Sequence, residues 1–127
     1  MLINTPISLA ELLDKISILL IKEKNIKDKN KLILVRKELE FLNQTLNQHT
    51  SKKEIQNYLD SLVEVNSKLW TIEDDIRKYE SIKKFDQKFI DLARSVYFTN
   101  DKRSEIKMKI NKEYGSAISE VKSYEKY

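Results

Sequence analysis

The 127-residue chain has no cysteine, a single histidine, one glycine and one proline. Without cysteine there are no disulfides, zinc ribbons, iron–sulfur clusters or thiol nucleophiles, and His49 alone cannot build a histidine metal site. Strands, hairpins and phosphate-cradling loops need frequent Gly and Pro as punctuation, so their scarcity argues against any β-rich fold. No apolar run approaches the roughly 20 residues of a membrane span. The first residues lack the basic start and apolar core of a signal peptide, so a cytoplasmic protein is expected.

What the chain does have is charge set on a regular apolar pattern, with 35% charged and 40% hydrophobic residues and a net charge of +4. That composition is too apolar for a disordered chain and fits helices with one wet face. A single domain over residues 1–127 is expected at this length. Ser8 and Glu11 form an S-x-x-E capping box that opens a helix over about Leu9–Ile26. Its apolar residues widen until most of the helix reads as buried and central. Asp28 caps a second helix carrying Leu32, Val35, Leu39, Leu42 and Leu46.

Ser51 and Glu54 form a second box. From there Ile55, Tyr58, Leu62, Val65, Leu69, Ile72, Ile76 and Tyr79 alternate three and four apart, predicting a helix from Ser51 to about Lys83. Asp86 caps a fourth helix that ends near Gly115. The fold expected is all-α, an antiparallel bundle of about four helices whose two long members form a coiled-coil-like hairpin. A heptad helix of that length offers more apolar face than one partner covers, so a homodimer is expected.

The fourth helix breaks its own pattern. Its stripe runs Phe89, Leu92, Val96, then Thr99 and Arg103, and turns apolar again only at Ile106 and Ile110. Around the gap stand Arg94, Tyr97, Asn100, Asp101, Arg103 and Lys107, in groups spaced to share a face. Only 4 residues are arginine against 20 lysines, so an Arg kept here suits a bidentate fork onto phosphate or carboxylate. The six residues are therefore the candidate ligand-binding set for an anionic small molecule such as a nucleotide sugar. The competing reading is a structural ion pair, for example Arg94 with Asp101, and it is the commoner outcome because such networks imitate sites.

Other features carry less. Helical pyrophosphohydrolases hold magnesium with carboxylates at i and i+3 on facing helices, but Ile76 and Arg77 stand three beyond Glu73 and Asp74. Glu11 and Asp14 supply only one E-x-x-D, so no metal and no cofactor is expected. Lys22–Lys37 holds seven positive and two negative residues, net +5, without an aromatic to stack a base. It reads as a solvated lysine face, with no sequence-specific nucleic-acid binding. Trp70 reads as an interface or core anchor. No nucleophile–base pair supports a named reaction, and whether the chain is an enzyme stays open.

Three segments, Pro6–Leu19 (PISLAELLDKISIL), Val65–Arg77 (VNSKLWTIEDDIR) and Phe89–Arg103 (FIDLARSVYFTNDKR), with Gly115-Ser116 and the closing EVKSYEKY, resemble a family of small bacterial and phage proteins known only as a domain of unknown function. The likeness spans nearly the whole chain, departing mainly between about Gln44 and Asp60. It implies occurrence beside glycosyltransferase and surface-polysaccharide genes in some cases, and no established activity. An accessory role in surface-polysaccharide metabolism is what the resemblance suggests. The matched polar residues lie mostly on helices three and four, where an antiparallel hairpin would bring Arg103 near Asn66 and Arg94 near Asp74 or Asp75.

Overall fold

A computed structural model describes residues 1–127 as four helices and no strand: α1 Leu9–Asn25, α2 Lys29–His49, α3 Lys52–Ser81 and α4 Gln87–Glu113. Each start is fixed by a short oxygen-bearing side chain that accepts from an otherwise orphaned backbone N–H. Ser8 accepts from Glu11, Asp28 from Lys31, Ser51 from Glu54 and Asp86 from Phe89. These are the four caps read from the sequence.

The long helices end in the same way, although the sequence marks only one of the two ends. After α4, Gly115 takes φ 62° and the Ser116 N–H bonds the Asn111 carbonyl at 3.0 Å. After α3, Lys83 takes φ 54° and the Lys84 N–H bonds the Tyr79 carbonyl at 3.0 Å. Both are left-handed terminators that satisfy a late carbonyl, and α3 uses a lysine where glycine is the usual choice. This is why α3 stops at Ser81 instead of reaching Lys83.

α1 is buried on nearly all sides, contributing Ala10, Leu12, Leu13, Ile16, Leu19 and Ile21 to the core, and it touches each of the other three helices. Asp14 on α1 meets Asn66 on α3 and Arg103 on α4, while Ile18 and Ile21 face Trp70 and Val96. α1 therefore runs parallel to α3 and antiparallel to α4, lying across the seam between them. α2 folds back along α1, with Val35, Leu39 and Leu46 buried. Ile55, Leu59, Leu62 and Val65 of α3 and Ile110 of α4 complete the core.

Beyond this base the hairpin of α3 and α4 continues as an arm. From Ser67 through Arg103 no residue is fully buried. The stripe expected to be core, Leu69, Ile72, Ile76 and Tyr79, is half-buried against Phe89, Leu92 and Val96, which are half-buried in turn. Ile82, Phe85 and Ile90 at the tip are exposed.

Candidate functional site

Asp14 is the centre of a polar network inside the bundle, with 1% of its surface exposed. Arg103 grips it with two hydrogen bonds, Nε donating to Oδ1 at 2.9 Å and Nη2 to Oδ2. Asn66 of α3 donates through Nδ2 to the same Oδ1 at 2.9 Å and to the Ser17 hydroxyl at 2.8 Å. Ser17 donates to the Asp14 carbonyl at 2.7 Å, so each polar group on this face of α1 has a partner. A buried carboxylate would cost several kcal/mol if left alone, and the guanidinium fork offsets that.

One turn further along α4 lies Lys107, with 5% of its surface exposed. Its Nζ is 2.9 Å from Glu11, 2.7 Å from Glu120 in the C-terminal segment and 3.9 Å from Asp14. Lys122 approaches Glu120 at 3.4 Å. Three carboxylates thus meet three cations, and the cluster is neutral. Burial pushes the Asp14 carboxyl up, but hydrogen bonds from Arg103 and Asn66 and the nearby positive charges outweigh it, leaving its pKa below the ordinary value. Burial likewise opposes the Lys107 charge, yet Glu120 and Glu11 raise its pKa. The Lys107 bond draws the Glu120 pKa down.

The six residues singled out on α4 fall into two groups on different faces. Asn100, Arg103 and Lys107 face α1. Arg94, Tyr97 and Asp101 lie toward the C-terminal segment: the Tyr127 hydroxyl donates to Asp101, its ring meets Tyr97 and Phe98 edge-on, and Arg94 sits 5.8 Å from the Phe98 ring. The hydrogen bond to Asp101 pushes the Tyr127 hydroxyl up to about 12. The Arg94–Asp101 ion pair is not formed, and Arg94 pairs with neither Asp74 nor Asp75. The arginine that is half-buried and paired is Arg103, and its acid is Asp14. A run of α4 alone cannot reveal a partner 89 positions away.

Sequence reasoning weighed Asp14 only as half of a metal-binding spacing and passed over Ser17 and Glu120. A signal for Asp14 and Ser17 existed, because they stand three apart among the apolar residues Leu13, Ile16 and Ile21 of α1. Glu11 was assigned wholly to its capping box. Its backbone N–H is capped by Ser8, but its carboxylate is turned to Lys107.

Above the network, α1, α3 and α4 leave an open cleft of about 450 Å³. Ile18, Leu69, Trp70 and Val96 form its apolar walls, and Asn66, Glu73, Asp74, Arg77, Asn100 and Arg103 its polar ones. No group of three or more acidic, His or Cys side chains is placed to hold a metal ion. No helix is long and apolar enough to cross a membrane.

Comparison with curated proteins and with solved structures finds no match. The model of a family of unknown function (DUF6165) matches residues 3–127, and the chain belongs to that family.

Proposed function

We propose that the protein is a helical interaction module that forms a homodimer through the arm of α3 and α4. The observation that carries this reading is the absence of any buried residue between Ser67 and Arg103, in a segment whose heptad stripe is apolar. Such a stripe is half-covered by one helix and gains from a second partner.

The charge order on the face turned away from α1 supports a second copy of the chain as the partner. It carries Glu64, Lys68, Thr71, Asp75 and Lys78, spaced four, three, four and three, beside a shallow groove lined by Ser67, Lys68, Thr71, Ile72 and Thr99. The signs run minus, plus, minus, plus about Thr71. An antiparallel second copy with its two-fold axis at Thr71 sets Lys68 against Asp75 and Glu64 against Lys78 in both directions, whereas a parallel copy sets like against like. Within one chain these groups form only exposed pairs, Glu64–Lys68 at 3.7 Å and Asp75–Lys78 at 3.9 Å, which are free to exchange across an interface.

Light scattering at micromolar concentration tests it, with twice the chain mass of 15.1 kDa expected. Lys68→Glu should weaken the dimer, and Lys68→Glu with Asp75→Lys should restore it. A monomer throughout, or a dimer indifferent to both changes, overturns the proposal. The alternative, a binder of phosphorylated or carboxylated molecules at Arg103 and Lys107, has less support. An anion arriving there must displace Asp14, Glu11 or Glu120 from cations they already neutralise.

A further inference from the structure

The cleft above the ion network is better suited to a cation than to an anion. Each of its two arginines has an acid beside it: Arg103 is held by Asp14 inside the bundle, and Arg77 lies 3.5 Å from Glu73 in an exposed pair. Asp74 lines the cleft, is exposed and has no ionic partner, so the charge left over is negative.

A second observation comes from the deep end. Asn66 has only 5% of its surface exposed, and its orientation is fixed because only the amide nitrogen can face a carboxylate. Both of its donors are committed, to Asp14 and Ser17, and no protein group donates to Oδ1. Asn66 lines the cleft and no protein group donates to its carbonyl oxygen, so that oxygen is open to a donor from a ligand. Between the two acceptors lies Trp70, half-buried in the wall, whose ring attracts a cation. Asn66, Trp70 and Asp74 follow each other at i, i+4 and i+8 on α3, a span of about 12 Å at 1.5 Å per residue.

We propose that this cleft binds a linear organic amine, with one donor at Asn66 Oδ1, the alkyl chain along Ile18, Leu69 and the Trp70 ring, and an ammonium at Asp74. A polyamine has the length and the donors for this, and it presents no acceptor for which the cleft lacks a free cation. The site lies on the α1 side of the arm, so it stands or falls separately from the dimer.

Trp70 is the only tryptophan of the chain, so its emission reports on the cleft alone. Spermidine added to the full chain at constant ionic strength should change that emission saturably. Inorganic phosphate should not. Asp74→Asn, an exposed and near-isosteric change that leaves the fold alone, should raise the apparent Kd for spermidine about three- to fivefold, the loss expected for one exposed ion pair. No saturable response to spermidine, an unchanged Kd in Asp74→Asn, or a saturable response to phosphate would each overturn the proposal.

Discussion

The base and the arm of this molecule are built from the same two long helices and solve the problem of charge in opposite ways. All 20 buried residues lie outside Ser67–Arg103, and six of them are polar: Asp14, Ser17, Asn66, Ser104, Lys107 and Asn111. The base thus takes Asp14 and Lys107 inside and balances them within a cluster of three acids and three cations. The arm keeps its ions outside, in exposed pairs such as Glu73–Arg77 at 3.5 Å and Glu80–Lys83 at 3.2 Å, each contributing at most about 1 kcal/mol. Stability therefore resides where α1 covers the hairpin. The arm is ordered mainly by its two helices, with α1 and Tyr127 touching only its near part, and it holds no buried residue.

The sharpest way to break this comparison is to unbalance the base. Asp14→Ala leaves Arg103 without its acid and Lys107 short of one, and should cost about 3–5 kcal/mol in urea unfolding. Asp14→Leu combined with Arg103→Met should recover much of that, because an apolar pair removes both the charge and its desolvation cost. If the single variant loses less than 1 kcal/mol, the network is not what holds the base. The pH dependence has a definite sign. Asp14 and Glu120 have folded pKa values below their unfolded ones, so their stabilisation is complete above about pH 4.5 and is lost as pH falls through the lowered values. Lys107, raised in the fold, stabilises fully below its unfolded value and loses that contribution as pH rises through the raised folded value. Asp14→Ala should flatten the acid limb of a plot of urea midpoint against pH.

A smaller effect sharpens the contrast along a single helix. Leu62 and Leu69 occupy the same heptad stripe of α3, seven residues apart, with Leu62 at 0% exposure and Leu69 half-buried in the cleft wall. Leu62→Ala should cost about 2–5 kcal/mol by transfer and cavity terms. Leu69→Ala should cost about 1 kcal/mol, because water already reaches that site. Equal losses would mean that arm and base share one core.

Local grammar made most of the fold legible. All four caps, the three breaks and the central place of α1 follow from side chains that act on their own neighbourhood, as Ser51 does on the Glu54 N–H. Periodicity showed which face of α3 is apolar, but not how much of it is covered. Coverage depends on where α1 ends, and the pattern from Ile55 to Tyr79 does not change there. The polar gap on α4 was visible because Arg103 sits where the stripe should be apolar. Its partner was not, since charge pairing across helices has no spacing rule. Spacing alone separated Arg94, Tyr97 and Asp101 from Asn100, Arg103 and Lys107, but not the contact of Tyr97 and Asp101 with Tyr127, which folds back from a segment with no periodicity to read.

The smallest effect concerns the tip of the arm, where α3 gives way to the turn before α4. Lys83 holds φ 54° there, a conformation that costs a side-chain-bearing residue about 1 kcal/mol. Lys83→Gly removes that strain but gives the unfolded chain more freedom, which returns about half of the gain. The Nζ contact with Glu80 at 3.2 Å is exposed and contributes little. The balance favours glycine by about 0.5 kcal/mol, and Gly115 at the end of α4 already shows the same terminator without a Cβ. If base and arm unfold together, this gain should appear in the urea midpoint of the whole chain. If the arm opens first, it should appear only as slower amide exchange in the last turn of α3, around Tyr79 and Lys84, with the global midpoint unmoved. Destabilisation by Lys83→Gly would mean that the lysine is held in place by something other than the turn.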